Sequence, residues 1–344
     1  MELPQHWVTA EGFSPHLGSG GGMLTVWGWS SQSETEAARV ADERLAQALE
    51  RVAREGGLPP GHGYYPRMPL REPVLEEVEA ASGAVLGVVT RNRMGCEVLC
   101  TDLLFIADVD APELEDATAR GGASGDTGGS SAGGAAPRRW LGTGVGGFFR
   151  RLLSGDPAPT PMTPPDSADD DAGDAGDAGD AVPAGPRLGE TSVAECLACE
   201  PLWEFARRHP ELGVRVYRTA AGFRVLVTGV GAPPASDRAR ALLTELGSDP
   251  VYVDLCATHD SYRARLTPKP FRVGARALPV SWPFTDEDAR GRYEEWVSQY
   301  DGRSSGHAVC RLVSVSGPEP GPGEARLVRL HDTRCRVGER LPLA

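Results

Sequence analysis

Apolar and polar residues alternate through "MLTVWGW" (23–29), and that period of two predicts a strand in which Trp27 and Trp29 are packing residues. Ser33 follows with the Ser33-x-x-Glu36 spacing of a capping box. Val40, Leu45, Ala48, Leu49 and Val52 then line one side of a predicted helix that Gly56-Gly57 ends. "AVLGVVT" (84–90) and "CEVLCTDLLFIADVD" (96–110) read as two strands joined at "RNRMG". Farther along, Ser192-x-x-Glu195 opens a helix to about Arg208, and "VRVYRTAAGFRVLVTGV" (214–230) reads as a hairpin turning near Ala221-Gly222. "SDRARALLTELGSD" (236–249) predicts a helix, "PVYVDLC" (250–256) an apolar strand holding one acid, and "TDEDARGRYEEWVSQY" (285–300) a last helix. This order defines an α+β fold with a mainly antiparallel sheet flanked by helices.

The pattern lapses between residues 111 and 190. "GGASGDTGGSSAGGAAP" and "PAPTPMTPPDSADDDAGDAGDAGDAVPAGP" are rich in Gly, Ser, Pro and Asp. They hold too little apolar surface to offset chain entropy, which predicts a disordered insertion. The expected organisation is therefore 1–110 and 191–344 as two halves of one folded body, with 111–190 between them. Inside the insertion, the basic-aromatic island "PRRWLGTGVGGFFRRLLSG" (137–155) offers a place to contact a protein partner, although its glycines disfavour a lone helix. Of the formal net charge of -13, the insertion carries -7 (thirteen acids, six bases), so overall acidity does not exclude a local basic groove.

A hydrophobic content of 40% with 24% charged residues is that of a soluble globular chain. The N-terminal "MELPQHWVTAEGF" lacks a basic start followed by an apolar run, and no segment is apolar enough for a membrane span. Seven cysteines, an odd number, fit reduced thiols and predict a cytoplasmic protein.

The candidate chemistry begins at "LLFIADVD" (103–110), a strand apolar enough to be buried that ends in two aspartates. Alternation places Asp108 and Asp110 on one side of the sheet, roughly 7 Å apart. Two carboxylates so placed repel each other, and a shared cation relieves them; Mg²⁺ or Mn²⁺ suits an all-oxygen pair. Read without the cation, the strand simply ends there with its acids in water. Farther on, Arg263, Arg265, Lys269, Arg272 and Arg276 fall within residues 263–276 with no acid among them, a pattern suited to phosphates or to a solvated strand edge.

Three stretches, in order, resemble the catalytic palm of the archaeo-eukaryotic primases and their bacterial primase-polymerase relatives. "LLFIADVD" is similar to that family's hhhDhD strand, with Asp108 and Asp110 in the metal-binding places. "TAAGFRVLV" resembles the motif beside the incoming triphosphate, with Thr219 near its serine, Gly222 on its glycine and Arg224 where a histidine stands. "VYVDLC" followed by "RARLTPKPFRVG" looks like the third motif, which puts Asp254 on the third metal ligand and Gly274 where a closing histidine usually lies. The resemblance implies an RRM-related palm in which Asp108, Asp110 and Asp254 hold Mg²⁺ or Mn²⁺. Thr219, Gly222, Arg224, Arg263, Arg265, Lys269 and Arg272 would then surround a nucleoside triphosphate. It further implies template-dependent nucleotidyl transfer on DNA or RNA.

Two other functions share parts of this pattern. Arg224 in place of the motif histidine fits an inactive descendant that serves as a nucleic-acid-binding or adaptor module, and the D-x-D pair also fits a nucleotide-sugar transferase. Cys196-x-x-Cys199 has the spacing of half a zinc site, but no second half is evident and buried helix thiols are ordinary. Ser305 is not in a nucleophile elbow, and His259, His307 and His331 fall outside the expected site. "GSGGG" (18–22) lacks the Lys-Ser/Thr of a P-loop.

Overall fold

The computed structural model describes residues 3–18, 20–57, 69–111 and 193–344; residues 112–190 of the predicted insertion, with the 137–155 island, and the Ser192 cap lie outside these. Among the described residues the fold is α+β, and every paired strand is antiparallel to its neighbour. Strands β1 (His6–Ser14) and β2 (Gly22–Ser30) form a hairpin, and helix α1 (Glu34–Glu55) packs on one of its faces. Ser33 Oγ accepts from Glu36 N–H at 3.2 Å, as the capping spacing predicts, and Gly56 ends α1 in the left-handed region at φ 71°. A Cβ on Gly28 would meet the α1 backbone at Ala37 O and Ala41 N, so glycine lets helix and hairpin touch. On the opposite face Trp7 packs against Trp27, Trp29 and Trp282 at ring separations of 5.8–6.4 Å.

Two four-stranded sheets carry the core. The first has the order β3 (Val74–Glu79), β4 (Val85–Arg91), β5 (Glu97–Thr101), β9 (Tyr262–Arg265). The second runs β10 (Cys310–Ser316), β7 (Gly213–Thr219), β8 (Gly222–Thr228), β6 (Phe105–Asp110). Chain from both sides of residues 111–190 therefore meets in each sheet: β9 extends β5, and β6 pairs with β8. Helices α2 (Val193–Arg208), α3 (Asp237–Glu245), α4 (Pro250–His259), α5 (Glu287–Ser304) and α6 (Pro322–Arg334) complete the fold. Val89, Leu99, Phe105, Ile106, Leu226 and Leu327 share one buried cluster, which fastens the two sheets and α6 together.

Two expected elements differ. The single strand over 96–110 is two strands, β5 and β6, in different sheets. Thr101 Oγ1 donates to Leu86 O (2.7 Å) and accepts from Leu103 N–H (3.1 Å), turning the chain between them. The expected strand "PVYVDLC" is helix α4. Its β-branched residues favour a strand, but Asp249 accepts from Val251 N–H (3.0 Å) as N-cap and Pro250 occupies the first turn, where its missing N–H costs nothing. The "RNRMG" joint is a turn as expected: Asn92 Oδ1 accepts from the N–H groups of Met94 and Cys96, both at 3.0 Å.

His259 closes α4 with its Nδ1 buried and without a hydrogen-bond partner among the described residues. Burial, with Arg263 nearby, lowers its pKa from 6.5 to about 4. Above pH 6.5 the ring is neutral folded or unfolded. As pH falls from 6.5 towards about 4, only the unfolded chain takes up the proton, so stability drains away over that window by at most about 3 kcal/mol. Urea midpoints of wild type and His259→Gln measured from pH 7 to pH 4.5 should diverge, the wild type losing more. Parallel curves would refute this assignment of the acid sensitivity.

Candidate functional site

A cleft opens between the two sheets where β6 ends. Asp108 and Asp110 from β6, Thr219 and Ala221 at the β7–β8 turn, and Asp249 and Tyr252 from the start of α4 line it together with Arg263, Arg265 and Lys269. The backbone explains why these residues meet. Ser248 Oγ (2.9 Å) and Asp249 N–H (3.3 Å) both donate to Asp108 O, which pins the entrance of α4 against β6. The Tyr252 hydroxyl accepts from Arg263 N–H (3.2 Å) and lies 2.9 Å from Ile106 O, bridging β6 and β9. Gly222 pairs with Asp110, and a Cβ there would lie 2.1 Å from Val109 O, so only glycine allows this turn to sit against the carboxylates.

The electrostatics set the two β6 carboxylates apart. Burial pushes Asp108 up, but the charges of Arg224 and then Arg265, with a bond from Arg224 Nε to Asp108 Oδ1 at 2.9 Å, outweigh it and hold the group below the usual carboxylate range. Asp110 is raised, first by burial and then by the negative charges of Asp249 and Asp108, against the pull of Lys269 and Arg265. Lys269 is buried; burial and the neighbouring Arg265 and Arg272 lower its pKa to about 8, so it still carries its proton at neutral pH. Three carboxylates thus face a buried lysine and an arginine. Such a set fits hard oxygen-seeking cations, and the mutual repulsion on Asp110 is what a cation would relieve.

The structure brings together only some of the residues expected from sequence. Asp108, Asp110, Thr219, Arg265 and Lys269 line the cleft, and Gly222 shapes it. Asp254 does not: with its strand a helix, it lies half-exposed on α4 and pairs with Arg240 at 3.1 Å. The third carboxylate in the cleft is Asp249, for which the Ser-Asp-Pro helix start was the available sequence signal. Arg224 is fully buried rather than turned to a ligand, because β8 aims it inward to donate to Asp108 and to Arg265 O at 2.7 Å. Arg263 reaches the cleft wall but gives its guanidinium to Glu72 at 2.6 Å. Arg272 lies on the short 3₁₀ turn Pro270–Val273, 5.8 Å from the Phe271 ring, outside the cleft lining. Cys196 and Cys199 lie on α2 and are not in the thiol–imidazole cluster found among the described residues.

No protein family, curated protein or solved structure matches this chain at a significant level. No helix among the described residues is long and apolar enough to cross a membrane.

Proposed function

We propose that the cleft binds a divalent cation together with the phosphates of a nucleoside triphosphate, and that the protein is a primase-like nucleotidyltransferase acting on a nucleic-acid strand. The observation that carries this reading is the convergence of Asp108, Asp110 and Asp249 on one cleft that also holds Lys269 and Arg265. The three carboxylates supply hard oxygen donors suited to Mg²⁺ or Mn²⁺, and such an ion, when bound, neutralises charge on the reacting phosphates. Arg224 holds Asp108 ionised and oriented through Oδ1, leaving Oδ2 for the cation. Lys269 and Arg265 would oppose phosphate charge at the cleft wall, and Thr219 with Ala221 would border the nucleotide.

Thermal unfolding of the full chain with Mn²⁺ and a nucleoside triphosphate, each alone and together, tests this. Stabilisation should be largest with the pair; at a ligand concentration about a hundred times Kd it reaches roughly 2.7 kcal/mol. No shift with any combination would sink the reading.

One observation favours a second reading, a palm that binds without turning over. The place of the second-motif histidine is filled by Arg224, which is locked in the core, so β8 presents no neutral imidazole to a substrate. Nucleic-acid affinity that ignores Mn²⁺ and survives loss of Asp110 and Asp249 would select it.

A further inference from the structure

Two thiols and an imidazole are buried together on the face of the second sheet that also carries Asp108 and Arg224. Cys310 is the first residue of β10, while His331 and Cys335, four apart, share one side of the end of α6. Val309 N–H donates to Cys335 O (3.0 Å) and Cys335 N–H to His331 O (2.8 Å), so the helix end is fixed against the strand start. Cys310 Sγ, a His331 ring nitrogen and Cys335 Sγ all lie within 4.8 Å of one another, and all three residues are fully buried. Cys310 Sγ is 3.9 Å from His331 Nε2. On the far side of the ring, Nδ1 lies 2.9 Å from Asp332 Oδ1. An ionised carboxylate only accepts, so in the neutral ring the proton sits on Nδ1 and the Nε2 lone pair is left for Cys310, Arg224 or a bound ion. A carboxylate behind a histidine in this way orients the ring and raises its basicity as a metal ligand.

We propose that Cys310, His331 and Cys335 form a binding site for a thiophilic metal ion, Zn²⁺ or Cu⁺, separate from the carboxylate cleft. Two sulfurs and an imidazole select soft and borderline ions over the Mg²⁺ or Mn²⁺ suited to oxygen donors. Ligand atoms around such an ion stand roughly 3.5 Å apart, given bonds of about 2.0–2.3 Å, so the observed separations close with side-chain shifts of about 1 Å or less. Arg224 gives a second, independent pointer. Its Nη1 donates a long hydrogen bond (3.4 Å) to His331 Nε2, which a bound ion would displace, and its fully buried Nη2 has no hydrogen-bond partner among the described residues. Thiolates formed on metal binding would place negative charge beside this guanidinium. Binding releases one proton from each cysteine and changes no oxidation state. Two thiolates then neutralise Zn²⁺, or leave one negative charge around Cu⁺ for Arg224 to face.

The test is metal titration of the full chain, stripped with chelator and kept reduced, with Zn²⁺ and separately with Cu⁺ against competing chelators. Co²⁺ serves as a spectroscopic stand-in that reports thiolate ligation by charge-transfer absorption. Wild type and Cys196→Ser/Cys199→Ser should each bind one equivalent of one of the two ions. Cys310→Ser and Cys335→Ser should lose it. Should these buried variants fail to fold, Asp332→Asn decides, since its carboxylate is a quarter exposed; it should weaken affinity by about 10–100-fold. No stoichiometric binding in wild type, binding that persists in folded Cys310→Ser and Cys335→Ser, or unchanged affinity in Asp332→Asn would each overturn the proposal.

Discussion

Asp110→Asn, without ligand, is expected to unfold at a temperature equal to or above that of wild type, and to lose the stabilisation that Mn²⁺ with a nucleoside triphosphate gives. Both halves follow from one arrangement. Asp110 is exposed at the mouth of the cleft but close to the carboxylates of Asp249 and Asp108, so its charge is at most a small, solvent-screened burden on folding. Neutralising it relieves that repulsion and removes a proposed cation ligand at the same time. The wild-type shift of roughly 2.7 kcal/mol corresponds to roughly 5–10 °C for a folded unit of about 150–250 residues. Differential scanning calorimetry reads both numbers in one experiment. A variant that melts lower than wild type, or one that keeps the full ligand shift, contradicts the description of the cleft.

Asp108 behaves differently, and here the effect on folding is large. Its partner Arg224 is completely buried, while the Asp108 side chain is 32% exposed at the cleft edge. Removing one member of such a pair strands the other's charge, at about 3–5 kcal/mol, with Arg224→Leu towards the lower end because water reaches the remaining carboxylate. Asp108→Asn leaves the guanidinium in the core with Arg265 O as its main acceptor and should cost at least as much. The double variant Asp108→Asn/Arg224→Leu should recover a large part of the loss, because no uncompensated charge remains. Urea denaturation of the four proteins as a double-mutant cycle measures this coupling. Additive losses would show that the pair is not the stabilising unit. Asp108→Asn is accordingly a poor probe of the site by itself, since lost binding would be confounded with lost stability.

These two aspartates also show how much the chain reveals by pattern alone. The D-x-D strand, the β7–β8 hairpin and α1 with its Ser33 cap and Gly56 stop are legible because each rests on local periodicity and turn chemistry. The end of β5 was less so, since the apolar run 96–110 continues unbroken through a turn that Thr101 makes with its side chain. At 250–256 two local signals conflict: β-branched composition predicts a strand, but the Asp249-Pro250 helix start prevails. That conflict moved the third carboxylate from Asp254 to Asp249. Arg224 reads as a phosphate-binding cation, and nothing local announces that the ladder pairs it with Asp108 across the sheet. Glu72, which claims Arg263, and the Cys310–His331–Cys335 cluster are likewise products of tertiary contact, with separations that match no short motif.

In the proposed cation site Asp249, which lines the cleft, stands as the third carboxylate in place of Asp254, which pairs with Arg240. Mn²⁺ binding by electron paramagnetic resonance, in the presence of a nucleoside triphosphate, separates the two directly. Asparagine caps helices about as well as aspartate, so Asp249→Asn should keep α4 intact; Asp254→Asn removes only a half-exposed pair with Arg240. Protein-bound Mn²⁺ should be retained in Asp254→Asn and lost in Asp249→Asn. Loss in Asp254→Asn with retention in Asp249→Asn, or no protein-bound Mn²⁺ in wild type, would contradict the account.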